Sequence, residues 1–147
     1  MFLSEVILKA MKEEETNPPF FDFLSESLFK LDLSEINLPN FHLFFLYKMT
    51  SFLGIQPQNN CSGSNVFFDL ENGIYKAIPP NHTYFLNEET SKVFSEISRF
   101  LDSDIQQFEI NKRVRKMVLV GLIEYYKLHL SGFGDVRTLE ILEEVFG

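Results

Sequence analysis

The sequence has a single cysteine, no tryptophan, and fewer basic residues (13) than acidic ones (21). One cysteine, Cys61, excludes an internal disulfide and fits a reducing compartment, so we expect a cytoplasmic protein. No apolar run approaches membrane-spanning length, and the acidic start of the chain is unlike a signal peptide. The net charge of −8 argues against a surface that tracks nucleic acid throughout, because phosphate contacts need lysine and arginine. The composition therefore favours protein partners and argues against association with a membrane.

The length of the chain and its phenylalanine content indicate one folded domain. The 147 residues are enough to bury a core without disulfides, and we expect residues 1–147 to form one unit. The 17 phenylalanines predict a core rich in packed phenyl rings.

The stretch 111–130 predicts a central, mostly buried helix. From Met117 to Ile123 it is apolar on nearly every side, so other helices must surround it. Asn111 is a suitable N-cap and Gly132 a suitable stop. The helix leaves one narrow polar seam and has a basic N-terminal end.

Further elements follow from apolar residues at helical spacing and from turn residues. A polar, irregular segment and a Glu71–Asn72–Gly73 turn between two short apolar runs predict a β-hairpin insert at about 56–80. The fold class is thus mainly α, a helical bundle around the central helix with a small β-hairpin insert. The other predicted helices cover 2–15, 19–31, 41–54 (opened by 38–40), 88–101 (capped by Asn87) and 136–146.

No pattern in the sequence indicates a catalytic, cofactor-binding or metal-binding site. The histidines at 42, 82 and 129 fall in different elements, and Cys61 to Ser64 resembles a zinc knuckle that lacks its second thiol. No nucleophile elbow, phosphate loop or dinucleotide fingerprint is present. We therefore predict no metal, no cofactor and no enzyme activity; a carboxylate-dependent hydrolase would require two convergent acids in a cleft.

A basic group at the start of the central helix is the most suggestive feature. Lys112, Arg113, Arg115 and Lys116 fall within five positions, where they oppose the helix dipole. Binding of an acidic partner and a merely solvated helix start both fit this pattern, and both stay open. Arg115 falls on a different face from Lys112 and Lys116, where it could border an apolar pocket.

Three stretches together resemble the C-terminal helical region of the RecO family of recombination mediators. They are FHLFFLYKMTSFLGI at 41–55, the cysteine-bearing loop and acidic-Gly hairpin at 61–77, and the long helix followed by a glycine turn and RTLEIL at 113–146. The order and spacing of these stretches carry the resemblance. The family's N-terminal OB-fold is missing from this sequence, and Ser64 places the chain with the zinc-free members.

The resemblance implies a non-enzymatic DNA repair role in the cytoplasm. Members of the family bind single-stranded DNA, largely through the OB domain missing here, and contact RecR. They dock on the acidic C-terminal tail of single-stranded-DNA-binding protein (SSB), help to load RecA and anneal strands.

The SSB tail requires an apolar slot with a basic rim, and the resemblance implies that this slot lies partly on the helix at 41–55. Some relatives carry paired arginines where this chain has Leu43 and Phe44. Charge alone therefore suggests Lys48, Arg113, Arg115 and Lys116 as the partner-binding residues. The alternative is a helical interaction scaffold or regulatory module with no role in DNA repair.

Overall fold

The computed structural model describes residues 6, 7, 9, 19, 22–26, 38–99 and 109–134. Within them the fold is mainly helical with a small antiparallel sheet, which confirms the predicted fold class. Residues 6, 7, 9 and 22–26 are helical, in agreement with the first two predicted helices. The rest of those helices and the predicted helix at 136–146 lie outside the described residues. No helix in the described part of the chain is long and apolar enough to cross a membrane.

The named elements follow one another as helix, hairpin, helix, helix. They are α1 (Leu38–Phe52), β1 (Phe67–Asp69), β2 (Ile74–Lys76), α2 (Glu88–Arg99) and α3 (Lys112–His129).

The central helix α3 is buried along its middle, as predicted. Val118, Leu122 and Tyr126 have no exposed surface, because α1 and α2 pack against this helix. The side-chain oxygen of Asn111 accepts a hydrogen bond from the Val114 N–H at 2.9 Å, which confirms the predicted N-cap.

Two adjacent tyrosines connect α3 to α1 and to the chain that follows it. The Tyr126 hydroxyl donates to the Leu46 carbonyl, and the Tyr125 hydroxyl donates to the Ile55 carbonyl, both at 2.5 Å. Burial raises the pKa of Tyr125 to about 12 and raises the pKa of Tyr126 well above its usual value. Both phenols are therefore neutral donors at physiological pH. These contacts place α1 directly beside the central helix.

Aromatic rings fill the space between the helices and the hairpin. The Phe68 ring lies 4.7 Å from that of Phe94, and the Tyr47 ring lies 5.1 Å from Phe94, measured between centroids. Phe23 stacks on Phe45 at 5.2 Å. Such ring pairs add to the free energy of burial, and they confirm the predicted phenyl-rich core.

The hairpin forms as predicted, but its turn differs in detail. Asp69 lies opposite Ile74, so the turn holds residues 70–73, one more than the sequence suggested. Gly73 takes a positive φ of 69°, whereas Asn72 does not. The reason is the Asp69 carboxylate, which accepts hydrogen bonds from the backbone of residues 71 and 72 and so stabilises the longer turn.

The helix α2 begins where the sequence predicts. The Asn87 side chain accepts a hydrogen bond from the Thr90 N–H at 2.8 Å. Glu88 and Glu89 occupy the first turn, where negative charge is favourable.

Candidate functional site

An open groove of about 410 Å³ runs along the solvent side of α3. One wall is the helix itself, and the other is the extended segment 83–87 that leads into α2. Most of its lining is apolar, with one lysine and one glutamate on the helix side. The lining residues are Leu70, Thr83, Tyr84, Phe85, Leu86, Asn87, Lys116, Met117, Val120, Gly121 and Glu124.

The floor of the groove depends on a glycine in the middle of α3. A Cβ atom at position 121 would lie 2.8 Å from Leu86 Cδ2, closer than carbon atoms pack. Gly121 therefore allows the segment 83–87 to lie directly on the helix. The sequence showed Gly121 only as a gap in an apolar run, and the contact explains it.

Backbone hydrogen bonds hold the second wall against the hairpin. The Leu70 N–H donates to the Tyr84 carbonyl, and the Leu86 N–H donates to the Phe68 carbonyl, both at 2.9 Å. The segment thus pairs with β1 on the side opposite β2, through a bridge between Asp69 and Phe85. The segment therefore pairs with β1 as a very short third strand would. This pairing fixes its distance from α3.

A buried carboxylate organises this corner of the fold. Asp69 has no exposed surface, and it contacts Lys76 Nζ at 2.7 Å and Asn72 Nδ2 at 2.8 Å. Burial alone would raise the pKa of Asp69, but the hydrogen bonds from Lys76 and Asn72, with His82 nearby, hold it well below its usual value. Asp69 is therefore ionised at neutral pH, and its charge fixes the turn and the strand beside the wall.

His82 connects the same carboxylate to the wall of the groove. Its Nδ1 accepts a hydrogen bond from the Tyr84 N–H at 3.0 Å. Its Nε2 lies 3.1 Å from Asp69 Oδ1 and 3.2 Å from Glu71 Oε2, and it forms no hydrogen bond with a described residue. The His82 ring therefore turns Nδ1 toward the wall of the groove and Nε2 toward the two carboxylates.

Of the four residues suggested by charge, the structure brings Lys116 to the groove. Lys116 is exposed, and it forms no ion pair with any described residue. Lys112, one turn earlier, is exposed and equally free of described ion pairs. Arg113 instead pairs with Glu89 of α2 at 2.5 Å. The cations available beside the groove are thus Lys116 in its lining and Lys112 one turn earlier.

Arg115 and Lys48 are engaged elsewhere. Arg115 is half-buried and donates to the Ile110 carbonyl at 3.1 Å, while its Nε has no hydrogen-bond partner among the described residues. Lys48 Nζ lies 5.8 Å from the centre of the Phe23 ring. Neither side chain is part of the groove lining.

Sequence reasoning did not find the wall of the groove. Tyr84, Phe85 and Leu86 form an apolar run directly before the Asn87 cap, and Tyr84 keeps 42% of its surface exposed. That run was a usable signal, since three large apolar residues before a helix cap need something to pack against. Their partner, the face of α3 around Gly121, is distant in sequence.

A second, more polar recess of about 320 Å³ lies between the cysteine-bearing loop and α2. Cys61 and Ser62 line one side, and Lys92, Glu96 and Arg99 line the other. Cys61 is a free thiol. Among the described residues there is no group of three or more histidine, cysteine or acidic side chains that could hold a metal ion.

Comparison with known proteins relates the chain to a DNA repair family. The family described as Recombination protein O C terminal matches residues 1–137. A DNA repair protein RecO of Azobacteroides pseudotrichonymphae is 34% identical over 146 residues. Another from Phocaeicola vulgatus is 33% identical over 146 residues, and one from Bacteroides fragilis is 31% identical over 147. Each alignment covers 99% of this chain.

The chain spans 61% of the length of these three relatives. No solved structure matches it significantly. The family match over residues 1–137 includes every groove-lining residue, since all of them precede residue 137.

Proposed function

The chain belongs to the RecO family of DNA repair proteins, and from this premise we propose that it is the partner-binding region of a non-enzymatic recombination mediator. Its direct task would be to dock the acidic, apolar-ended tail of SSB. Through this contact, and through contact with RecR, it would support the binding and annealing of single-stranded DNA and the loading of RecA.

One observation carries the docking proposal: an apolar groove has an exposed lysine at its rim that no described acid neutralises. Leu86, Met117 and Val120 supply apolar surface, and Lys116 supplies the charge. An acidic peptide with a large apolar residue would bury that residue in the groove and place its acids near Lys116 and Lys112. Charge complementarity of this kind increases the association rate and fixes the orientation of the partner.

Charge argues for a limited direct role in DNA binding by this region. The chain carries −8 in total, and Arg113 is already paired with Glu89. Sequence-independent DNA binding needs a continuous basic groove. We propose that the OB domain of the family supplies this groove and that the helical region supplies protein contacts.

Fluorescence polarisation with a labelled, acidic, phenylalanine-terminated peptide tests the docking proposal. We expect affinity in the micromolar range that weakens as salt is added, because the charged contacts are screened. Lys116→Glu should weaken binding by about tenfold, in line with losses at close interfacial charge pairs. The matched control is Lys92→Glu, which makes the same charge change on α2, outside the groove.

The controls separate docking from general charge. Equal losses in Lys116→Glu and Lys92→Glu would show that net charge, and not the groove, attracts the peptide. No binding at low salt would remove the docking proposal and would favour the interaction-scaffold alternative. Circular dichroism should show the same helix content in both variants, since both lysines are exposed.

A further inference from the structure

The turn of the hairpin contains a chemically labile pair of residues. Asn72–Gly73 is the one Asn–Gly pair in the sequence. Asparagine is among the residues least stable to heat, and it is most labile before glycine, because no side chain hinders the backbone nitrogen that follows it. Asn72 is exposed, so water reaches the pair. The turn thus combines a labile sequence with access to the one reactant that deamidation needs.

The reaction at such a pair runs through a cyclic imide. The Gly73 nitrogen loses its proton to water or hydroxide and forms a bond to Asn72 Cγ, and the Cγ–Nδ2 bond breaks, which releases ammonia. Water then opens the imide at either of its carbonyls. One opening leaves an aspartate at position 72, and the other leaves an isoaspartate, in which the main chain runs through the side-chain carbons. Either product replaces a neutral amide with a carboxylate.

The closed turn opposes the first step of this reaction. Asn72 Nδ2 donates to Asp69 Oδ2 at 2.8 Å, and the Asn72 backbone N–H donates to Asp69 Oδ1 at 3.0 Å. The Gly73 N–H donates to the Asp69 carbonyl at 2.8 Å. Ring closure requires the Gly73 nitrogen to lose its proton and the Asn72 amide to release its nitrogen. Both groups must therefore first leave Asp69.

Packing also holds Gly73 in place. The residue is buried, and a Cβ atom there would lie 3.1 Å from the Tyr125 hydroxyl oxygen. The Gly73 carbonyl accepts a hydrogen bond from the Gln58 N–H at 2.9 Å. The turn is thus held against α3 and against the loop that precedes β1. These contacts must break before the backbone at residue 73 can move.

We propose that Asn72 is a deamidation site that is modified only in molecules whose turn has opened, and that the new carboxylate keeps the turn from closing again. The product loses the Nδ2 donor and places a second negative charge beside the buried Asp69 carboxylate. An isoaspartate also lengthens the main chain between residues 72 and 73. Because Asp69 organises the turn and the strand beside the segment 83–87, the modification would irreversibly loosen this wall of the groove.

Incubation of the whole chain at mildly alkaline pH, followed by peptide mapping with mass spectrometry, tests the site. The folded chain and the chain unfolded in guanidinium chloride are incubated in parallel at one pH and temperature. We expect residue 72 to deamidate at least about tenfold more slowly in the folded chain, because reaction through opened molecules scales with their population. The products should include isoaspartate, which an isoaspartyl methyltransferase detects, since the imide opens on both sides.

Asp69→Asn tests the protection by this side chain. It keeps the size of the residue but removes the carboxylate oxygen that holds Asn72 Nδ2, and it should speed deamidation at residue 72 in the folded chain about fivefold. The matched control is Glu71→Gln, which makes the same change from carboxylate to amide on an exposed side chain of the same turn. It should leave the rate as in the wild type. If Asp69→Asn does not fold by circular dichroism, the comparison of folded and unfolded wild type still decides the proposal.

Asn72→Asp imitates the direct product and tests its effect on the wall. Hydrogen exchange at the Leu70 N–H, which donates to the Tyr84 carbonyl, should accelerate about tenfold, since a like-charge contact replaces a hydrogen bond. Gln56→Glu makes the same change from amide to carboxylate on an exposed side chain outside the turn. This control should leave exchange at Leu70 unchanged.

Several results would overturn the proposal. Equal rates in the folded and unfolded wild type, or no modification of residue 72 in either, would remove the protected site. An unchanged rate in Asp69→Asn would show that the protection does not depend on this carboxylate, and unchanged exchange in Asn72→Asp would show that the product fits the closed turn. These measurements involve no peptide binding, so their failure is distinct from failure of the docking proposal.

Discussion

The two faces of α3 differ in what they contact and in what a substitution on each should change. On the inner face, Leu122 and Tyr126 are fully buried against α1 and the aromatic core. On the outer face, Val120 keeps 37% of its surface exposed and lines the groove with Lys116 and Glu124. One helix thus supplies both the centre of the core and one wall of the candidate site. Substitutions on the inner face should therefore change the free energy of unfolding, and substitutions on the outer face should change peptide binding.

The largest expected effect lies on the inner face. Leu122→Ala removes a fully buried side chain and should lower the free energy of unfolding by about 3 kcal/mol, within the usual range for such cavities. Val120→Ala, its partner on the outer face, should cost less than about 1 kcal/mol. Urea denaturation followed by circular dichroism measures both. Equal losses would show that the outer face is as much a part of the core as the inner one.

Acidification should destabilise the folded chain through the buried side chain of His42. This residue lies in α1, and burial lowers its pKa from 6.5 to about 4. The unfolded chain therefore binds more protons between these values, and stability should fall as the pH drops from 6.5 to 4. The shift corresponds to about 3 kcal/mol. His42→Gln should flatten the pH dependence of the free energy of unfolding in this window; an unchanged slope would assign it to other groups.

A smaller effect is expected where the core meets the wall of the groove. Asp69→Asn removes the buried charge that Lys76 contacts and should cost about 2 kcal/mol at neutral pH. Because the pKa of Asp69 is lowered in the folded state, this stabilisation is complete above the ordinary value of 3.8 and is lost progressively as the pH falls from there toward the lowered value. Hydrogen exchange at Leu70 and Leu86, whose N–H groups hold the wall, should accelerate more than exchange within α3. Uniform acceleration would argue against a local role.

The smallest change in stability is expected at Gly121. Gly121→Ala gains helix propensity of about 1 kcal/mol, but the new methyl group would press on the end of the Leu86 side chain. The two effects should nearly cancel in the free energy of unfolding. Peptide binding should still fall, since Leu86 must move into the groove. Unchanged binding with unchanged stability would show that the groove tolerates a shift of its floor.

Local sequence signals predicted the helices and the hairpin better than they predicted the groove. The caps at Asn87 and Asn111 each accept from the N–H group three residues on, so the sequence contains both partners within one turn. The same holds for the apolar periodicity of α1 and α3. The hairpin was predicted from its turn residues, and only the capping of the turn by Asp69 was missed.

The site depends on contacts between distant residues. Arg113 is removed from the basic group by Glu89, which lies 24 positions earlier, and Arg115 turns toward the backbone of Ile110. The Arg113 contact spans 24 positions and has no local pattern, and the Arg115 contact, although only five positions long, goes to a backbone carbonyl that charge spacing does not reveal. The wall at 83–87 exists because β1 has a free edge and because Gly121 allows close approach. Charge spacing could suggest a basic end of a helix, but not which of its cations remain available.

The buried tyrosines make the chain its own optical reporter. It has five tyrosines and no tryptophan, and burial raises the pKa of four of them, Tyr47, Tyr75, Tyr125 and Tyr126. In mild alkali these phenols stay neutral as long as the helices remain packed, whereas an opened chain would ionise them near pH 10. Tyrosinate absorbance from these four residues in that range would therefore report opened molecules, without any added dye.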